Sequence, residues 1–167
     1  WSQPIGSRLT ATLGLRADAA QRSASTANPM NNLSPRLALS YLLSERWTAN
    51  ANVGQYSQLP PAIIQVANSA QGRRDDLASA LVQQIAGGVE YQNGQTYRVS
   101  IEGYYKGYRR YPFLIQDQIS YANAIGAYVA VGDQASTPTS TGRAYGLEVF
   151  LQQKLKGKYW WMASYHY

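Results

Sequence analysis

The chain has 167 residues, of which 14% are charged and 12% aromatic, with 14 Tyr and 4 Trp against 2 Phe. No run of residues approaches the roughly 18 consecutive apolar positions of a membrane-spanning helix, and the lack of Cys excludes disulfides and thiolate metal sites. The net charge of +6 comes from scattered basic residues, so nucleic-acid binding is not expected.

The first predicted strand, Ser7–Arg16, alternates apolar and polar residues with the period of two that a β-strand requires. Two further strands, Leu37–Leu43 and Trp47–Gly54, flank the short polar segment Ser44–Arg46. Pairing Leu43 with Trp47 makes a three-residue turn and places both apolar sets on one face of the sheet. The sequence therefore predicts an antiparallel hairpin here.

The clearest alternation lies in Gln95–Gly107, and the preceding segment Leu81–Tyr91 shows the same period. Pairing Tyr91 with Gln95 leaves the three-residue connection Gln92–Gly94. The glycine of that connection occupies the position that favours a positive φ. A two-residue turn would put the two apolar faces on opposite sides of the sheet.

A third hairpin is predicted near the end of the chain. The strands Tyr145–Leu155 and Tyr159–Tyr165 flank Lys156–Lys158, again with matching apolar faces. This brings the predicted total to about seven strands. Their lengths, roughly 9 to 13 residues, suit a tilted strand that crosses a bilayer.

The connections alternate in length along the chain. Tight turns are separated by the long polar stretches Asp18–Leu33, Ser57–Ser79 and Tyr108–Thr141. Short turns on the periplasmic side and long extracellular loops are typical of transmembrane β-barrels. The sequence thus predicts an all-β fold, a transmembrane antiparallel β-barrel segment.

The polar face of these strands is predicted to face the lumen of the barrel, because charges on the lipid face cost roughly 2 to 4 kcal/mol at mid-membrane. The predicted lumen-facing residues are Arg8, Arg16, Asn50, Asn52, Gln84, Glu90, Arg98, Glu102, Glu148, Gln152 and Lys154.

The apolar face is predicted to face lipid, with aromatic rings beside the tight turns. This predicted aromatic girdle consists of Trp47, Tyr91, Tyr97, Tyr159 and Trp161. The long loops supply the candidates for ligand contact, with solvated loop charge as the alternative. These candidates are Arg73 and Arg74 in the stretch 58–74, and Arg109, Arg110, Tyr111 and Phe113.

Two other interpretations of the pattern remain open. A soluble β-sandwich or lipocalin-like barrel also alternates, but its polar residues would surround an apolar core. A hydrolase could use His166, the only histidine, with Ser164 two positions away. No orienting carboxylate is nearby in the sequence, so neither catalytic residues, a metal site nor a cofactor is predicted.

Several segments resemble barrel strands of TonB-dependent outer-membrane receptors, in particular the Bacteroidetes-type members. They are Ser34–Tyr41, Gly103–Phe113 and Gly142–Lys154, the last of which begins Gly-Arg-Ala-Tyr-Gly-Leu-Glu. The segment Tyr56–Pro61, in which a strand end enters a loop through two prolines, is also similar. The resemblance extends over nearly the whole chain from Asn32 onward.

The resemblance implies a barrel of about 22 strands closed around a plug domain of the same protein. It also implies outer-membrane lipid, TonB and a surface lipoprotein as partners, and the outer membrane of a Gram-negative bacterium as location. The chain is expected to form part of one barrel domain over residues 1–167. The plug and the remaining strands are expected elsewhere, because seven strands would leave unpaired edges in lipid.

The main functional hypothesis from the sequence is TonB-dependent uptake of a nutrient across the outer membrane. One alternative is a barrel subunit with a structural role in a larger outer-membrane complex. Another is a small eight-stranded outer-membrane protein. The generic Ser, Thr, Gln, Asn and Tyr composition of the loops identifies no solute.

Overall fold

The computed structural model describes residues 1–94, 96–124 and 133–167. In these residues a single antiparallel sheet has nine strands in the order β1-β2-β3-β4-β5-β6-β8-β9, with β7 paired to β6. The strands are β1 (Ser2–Ile5), β2 (Leu9–Ala17), β3 (Leu33–Leu42), β4 (Trp47–Gln58), β5 (Ala80–Asn93), β6 (Tyr97–Leu114), β7 (Ile119–Ser120), β8 (Ser136–Lys156) and β9 (Tyr159–His166).

The seven predicted strands are all present, and the structure adds the short strands β1 and β7. The predicted start of β2 is wrong by two residues, because Ser7 and Arg8 belong to the tight turn that follows β1. β1 and β9 are the two edges of the sheet. The described strands therefore form an open sheet of nine rather than a closed barrel of eight.

The tight turns test the predicted registers. In the first hairpin Leu42 pairs with Thr48, and the Leu43 amide donates to the Trp47 carbonyl at 2.9 Å, as predicted. In the last hairpin Gln153 pairs with Trp161 in the predicted register. A shift beyond that pair leaves a two-residue turn, 157–158, where three residues were predicted.

The middle hairpin corrects the prediction. Tyr91 pairs with Val99 and Asn93 with Tyr97, whereas Gln95, the predicted partner, lies outside the described residues. β5 continues past Tyr91 because the Gln92 amide finds an acceptor, the Arg46 carbonyl, in the neighbouring turn at 2.8 Å. The register changes by an even number of positions, so the apolar faces still coincide.

The parity of residue numbers defines the two faces of the sheet. From β1 to β6, even-numbered residues pair with even-numbered ones across each pair of neighbouring strands. The same holds between β6 and β8 as far as the Tyr108–Gly142 pair. It also holds between β8 and β9 as far as the Gln153–Trp161 pair. Since side chains alternate along a strand, all even positions share one face in this region. We call the even face the polar face and the odd face the apolar face.

The long-loop end contains short helices that the sequence did not predict. They arise in the first two long connections and after β7. The α-helices are α1 (Ala24–Ala27), α2 (Ala62–Ala70) and α3 (Tyr121–Ala124), and the 3-10 helices are Pro29–Asn32 and Arg74–Asp76. Across the described ranges, none of the helices has the length and apolarity to cross a membrane.

The buried core lies in this loop layer, which we define as residues 18–32, 59–79, 115–124 and 133–135. Ile64 and Leu77 pack with Leu114, at the end of β6, and these three side chains are 0–3% exposed. The apolar face of the sheet, by contrast, carries exposed aliphatic side chains such as Leu15 and Ile85. This exposure rules out the soluble-sandwich interpretation, which requires that face to be the core.

Candidate functional site

The polar face gathers the residues that were predicted to line the lumen. All of them hold even positions. All lie in strands except Arg8, which lies in the turn before β2. Arg98 donates to Glu90 at 2.8 Å, and its guanidinium carbon lies 5.8 Å from the centre of the Phe150 ring. Gln84 donates to Asn52 at 3.4 Å across β4 and β5. The polar face is therefore a hydrogen-bonding surface with charges of both signs.

A row of register-paired residues crosses the middle of the polar face. Asn50 pairs with Gly88, Gly88 with Glu102, Glu102 with Glu148, and Glu148 with His166. His166 Nδ1 lies 3.4 Å from Glu148 Oε1. The sequence prediction gave His166 no place on this face, although its even position on the last strand was a usable signal.

Other members of the polar face were also missed. Lys106 Nζ lies 4.8 Å from the ring centre of Tyr104, and the Arg36 guanidinium lies 5.0 Å from that of Tyr56. Their even positions were a usable signal, since Lys106 lies in the segment with the clearest alternation and Arg36 directly precedes the predicted strand that begins at Leu37. Within the part of the chain that the structure describes, no group of three or more His, Asp or Glu could hold a metal ion.

The tight-turn end of the apolar face carries four of the five residues predicted as an aromatic girdle: Trp47, Tyr91, Tyr97 and Trp161. The rings of Trp47 and Tyr91 lie side by side with centroids 5.0 Å apart. The indole of Trp161 donates to Gln153 at 2.9 Å, and Gln153 pairs with Tyr97 on the next strand. These rings border the apolar face where amphipathic aromatic side chains favour a membrane interface.

The predicted ligand candidates of the third long loop lie in a strand instead. Arg109, Arg110, Tyr111 and Phe113 all belong to β6, which runs to Leu114, so their assignment to a loop is wrong. The strand continues because β8 accompanies it, through a bulge at which Arg110 adopts a φ of 55°. The part of β6 beyond the bilayer does not need an aliphatic face. Its sequence therefore lacks the alternation of apolar and polar residues from which a strand could have been predicted.

The arginines near the second long loop hold the loop layer together. Arg73 forms an ion pair with Asp76 at 2.6 Å. Arg74 donates to the carbonyls of Gln21 and Arg22 at 2.7 and 2.5 Å. These contacts tie the second long loop to the first.

A cleft of about 420 Å³ opens where the first long loop meets the ends of β4 and β5. At its base the Arg16 guanidinium pairs with Asp18 at 2.9 Å, and Ser57 donates to the same carboxylate at 3.3 Å. Polar side chains dominate its lining: Arg16, Asp18, Thr26, Tyr56, Ser57 and Gln58. The cleft thus offers donors and acceptors with balanced charge to a molecule that enters from the loops.

The described strands form a single open antiparallel sheet with one apolar face, edged by aromatic rings, and one polar face. These features define a segment of a transmembrane β-barrel wall. Residues 1–167 match the family model described as TonB dependent receptor-like, beta-barrel. The chain belongs to this TonB-dependent receptor family, whose barrels lie in the outer membrane of Gram-negative bacteria.

The fold is similar to that of a solved structure, the FrpB iron transporter from Neisseria meningitidis (F3-3 variant). The TM-score is 0.61 and the sequence identity 15%, over 93% of this chain. This chain spans 22% of the length of that one. No curated protein sequence matches the chain.

Proposed function

We propose that this chain is part of the barrel wall of a TonB-dependent transporter that takes up a nutrient across the outer membrane. The supporting observation is the two-faced sheet, because a polar face of mixed charge beside an apolar face suits a wall between a filled lumen and lipid. The proposed protein is a transporter rather than an enzyme. Its resemblance to the Bacteroidetes-type receptors favours that subgroup.

The lumen-facing residues are proposed to pack against a plug domain of the same protein. Arg98 and Glu90 already satisfy one another at 2.8 Å, so they suit a structural contact better than solute capture. The plug and the remaining strands would come from other segments of the protein, because β1 and β9 are unpaired edges. TonB and a surface lipoprotein would be further partners.

The cleft at the base of the loops is the proposed place of solute contact on this chain, in preference to Arg73, Arg74 and the β6 residues Arg109–Phe113. The paired Arg16 and Asp18 leave little net charge, so the solute is expected to bind through hydrogen bonds. The FrpB neighbour is an iron transporter. Ferric chelates therefore belong among the solutes to be tested, beside cobalamin, oligosaccharides and peptides.

The test is uptake by the native organism. A deletion strain should fail to accumulate one of these labelled solutes, and the full-length gene should restore accumulation only in cells with functional TonB. Gln58→Ala should raise the half-saturating concentration of that solute. Gln83→Ala, in the paired strand but on the opposite face, is the matched control and should leave it unchanged. Uptake that survives both deletion and loss of TonB would refute the proposal.

The alternative, a structural subunit of a larger outer-membrane complex, draws on the ordered loop layer. Ser23 donates to the Leu77 carbonyl at 2.6 Å, so two long loops form one surface. Such a surface could hold a fixed partner. Copurification of a stoichiometric partner, with no change in uptake of any solute on deletion, would favour this function over transport.

A further inference from the structure

Two arginines lie on the apolar face at its long-loop end. Arg143 in β8 pairs with Gly107 of β6, and Arg109 of β6 pairs with Leu81 of β5. Both arginines hold odd positions, like the exposed aliphatic side chains. The other arginines that the structure places in strands, Arg16, Arg36, Arg98 and Arg110, hold even positions.

The height of these arginines follows from the tyrosine pair beneath them. Tyr105 and Tyr145 are direct cross-strand partners on the apolar face, nearer the middle of the strands than the two arginines. Arg143 lies two residues from Tyr145 on β8, and Arg109 lies four residues from Tyr105 on β6, both toward the long loops. At about 3.4 Å per residue and a tilt of about 40°, these positions are roughly 5 and 10 Å above the tyrosines. Both guanidinium groups can therefore reach the level of lipid headgroups.

Neither arginine is balanced by a protein carboxylate in the part of the chain that is described. The ion pairs found there involve Arg16, Arg73, Arg98 and His166. Arg109 lies two residues beyond Gly107, the partner of Arg143, so the two arginines are diagonal neighbours across β6 and β8 on the apolar face. Two adjacent positive charges at a membrane surface attract phosphate, which matches guanidinium in geometry and charge.

An apolar depression of about 1220 Å³ on the same face adjoins Arg109. Its floor crosses the strands β2 to β6, and Arg109 stands at its edge. The aliphatic and aromatic residues that line it include Leu15, Leu37, Val53, Ile85 and Tyr105. Acyl chains are the apolar partner that a membrane supplies to such a surface.

We propose that this face binds a phosphate-bearing lipid of the outer leaflet, with acyl chains in the depression and phosphate against Arg109 and Arg143. The proposal depends on the outer-membrane location of the family and is independent of the transport function. It explains why two positive charges stand on a face whose other residues in the described strands carry no charge. A guanidinium without a phosphate partner would gain nothing from that position.

The test measures lipid binding by the full-length protein in phosphatidylcholine nanodiscs. Lipid A with both phosphates is titrated against the same lipid after dephosphorylation, and bound lipid is counted by native mass spectrometry. The phosphorylated form should bind more tightly, and added salt should reduce the difference. If the native protein bound phosphorylated and dephosphorylated lipid A with equal affinity, that result alone would overturn the proposal.

The double variant Arg109→Gln, Arg143→Gln should weaken binding of the phosphorylated lipid roughly 30-fold, from about fivefold for each arginine near an anionic surface. The matched control is Arg22→Gln with Arg46→Gln, which removes the same charge from exposed side chains outside the apolar face. Equal losses in both double variants would indicate a non-specific charge effect and also overturn the proposal. Unchanged heat-dependent gel mobility confirms that each variant is folded.

Discussion

The strand region and the loop layer are stabilised in different ways. The strands form one layer whose two faces meet different surroundings, and its aliphatic side chains, such as Ile101 at 43% exposure, have no protein above them. The loop layer has its own core, in which Ile64 and Leu114 are fully buried. The strand region therefore depends on lipid for its apolar burial, whereas the loop layer depends on contacts between distant segments.

The largest expected effect comes from placing a charge on the apolar face. Ile101→Arg, near the middle of that face, should destabilise the full-length protein by about 2 to 4 kcal/mol, because the guanidinium would have to leave water for hydrocarbon. Equilibrium unfolding in urea from phosphatidylcholine vesicles measures this change.

Ser100→Arg is the matched control for that variant. Ser100 is the adjacent residue on the polar face, and it pairs with Glu90, which favours a positive charge. Its effect should stay within about 0.5 kcal/mol, as for ordinary surface substitutions. Equal destabilisation by both variants would show that the two faces do not differ in their surroundings.

The strand region could be predicted from the sequence because apolar and polar residues alternate with a period of two within each strand. The pattern at Leu37–Leu43 and Trp47–Gly54 fixed both the faces and the register, since an odd shift would have exposed the apolar set to the lumen. The middle hairpin was misplaced because Gln92 and Asn93 carry no hydrophobic signal. Their pairing depends on an acceptor in another turn, at Arg46.

The candidate site was predictable to a smaller extent. Parity placed Glu90, Arg98 and Glu102 on one face, but it could not show that Glu102 and Glu148 would be direct partners. The cleft was not predictable, because Asp18 reaches Ser57 across 39 positions of sequence. Contacts of that kind depend on the fold of the loops rather than on any local period.

The second prediction tests the close approach of two strands on the polar face. A methyl group on Gly88 would lie 2.8 Å from the Glu102 Cα and closer still to the Ile101 carbonyl oxygen. Gly88→Ala should therefore cost about 1 to 3 kcal/mol, since backbone atoms cannot yield as a flexible side chain can. The same urea titration provides the measurement.

Gly87→Ala distinguishes this crowding from a general effect of replacing glycine. Its added methyl group would be 3.6 Å from the Asn50 carbonyl oxygen, an ordinary contact, and it would lie on the apolar face. This variant should match or slightly exceed the native stability, because alanine loses less backbone entropy on folding. A cost at position 87 as large as that at 88 would contradict the proposed close approach.

The third prediction concerns the contact between helix α2 of the loop layer and Ser136, the first residue of β8. Asn68 in α2 is fully buried, accepts from the Ser136 amide at 2.8 Å and donates to the Ser136 carbonyl at 2.9 Å. Asn68→Ala should cost about 1 to 2 kcal/mol by leaving those buried groups without partners. Since the loop layer has a separate core, the loss should appear as faster amide hydrogen exchange in α2.

Exchange in β4 and β5 should remain unchanged in that variant if the two regions are stabilised independently. Ser69→Ala serves as its control, because Ser69 is the exposed neighbour of Asn68 on the same helix. Exchange that rises equally in the strands would mean that the loop layer and the sheet unfold as one unit.

The smallest expected effect concerns the ion pair of Arg98 and Glu90 on the polar face. The two side chains are 44% and 23% exposed, so screening by water keeps the coupling below about 1 kcal/mol. A double-mutant cycle with Arg98→Gln and Glu90→Gln, measured in the full-length protein, gives the coupling energy.

If a plug domain covers this pair and excludes water, the coupling energy should exceed about 1 kcal/mol and fall little with added salt. A weak, salt-sensitive coupling would instead place the pair in a water-filled part of the lumen, so this measurement locates the plug relative to the turn end of β5 and β6.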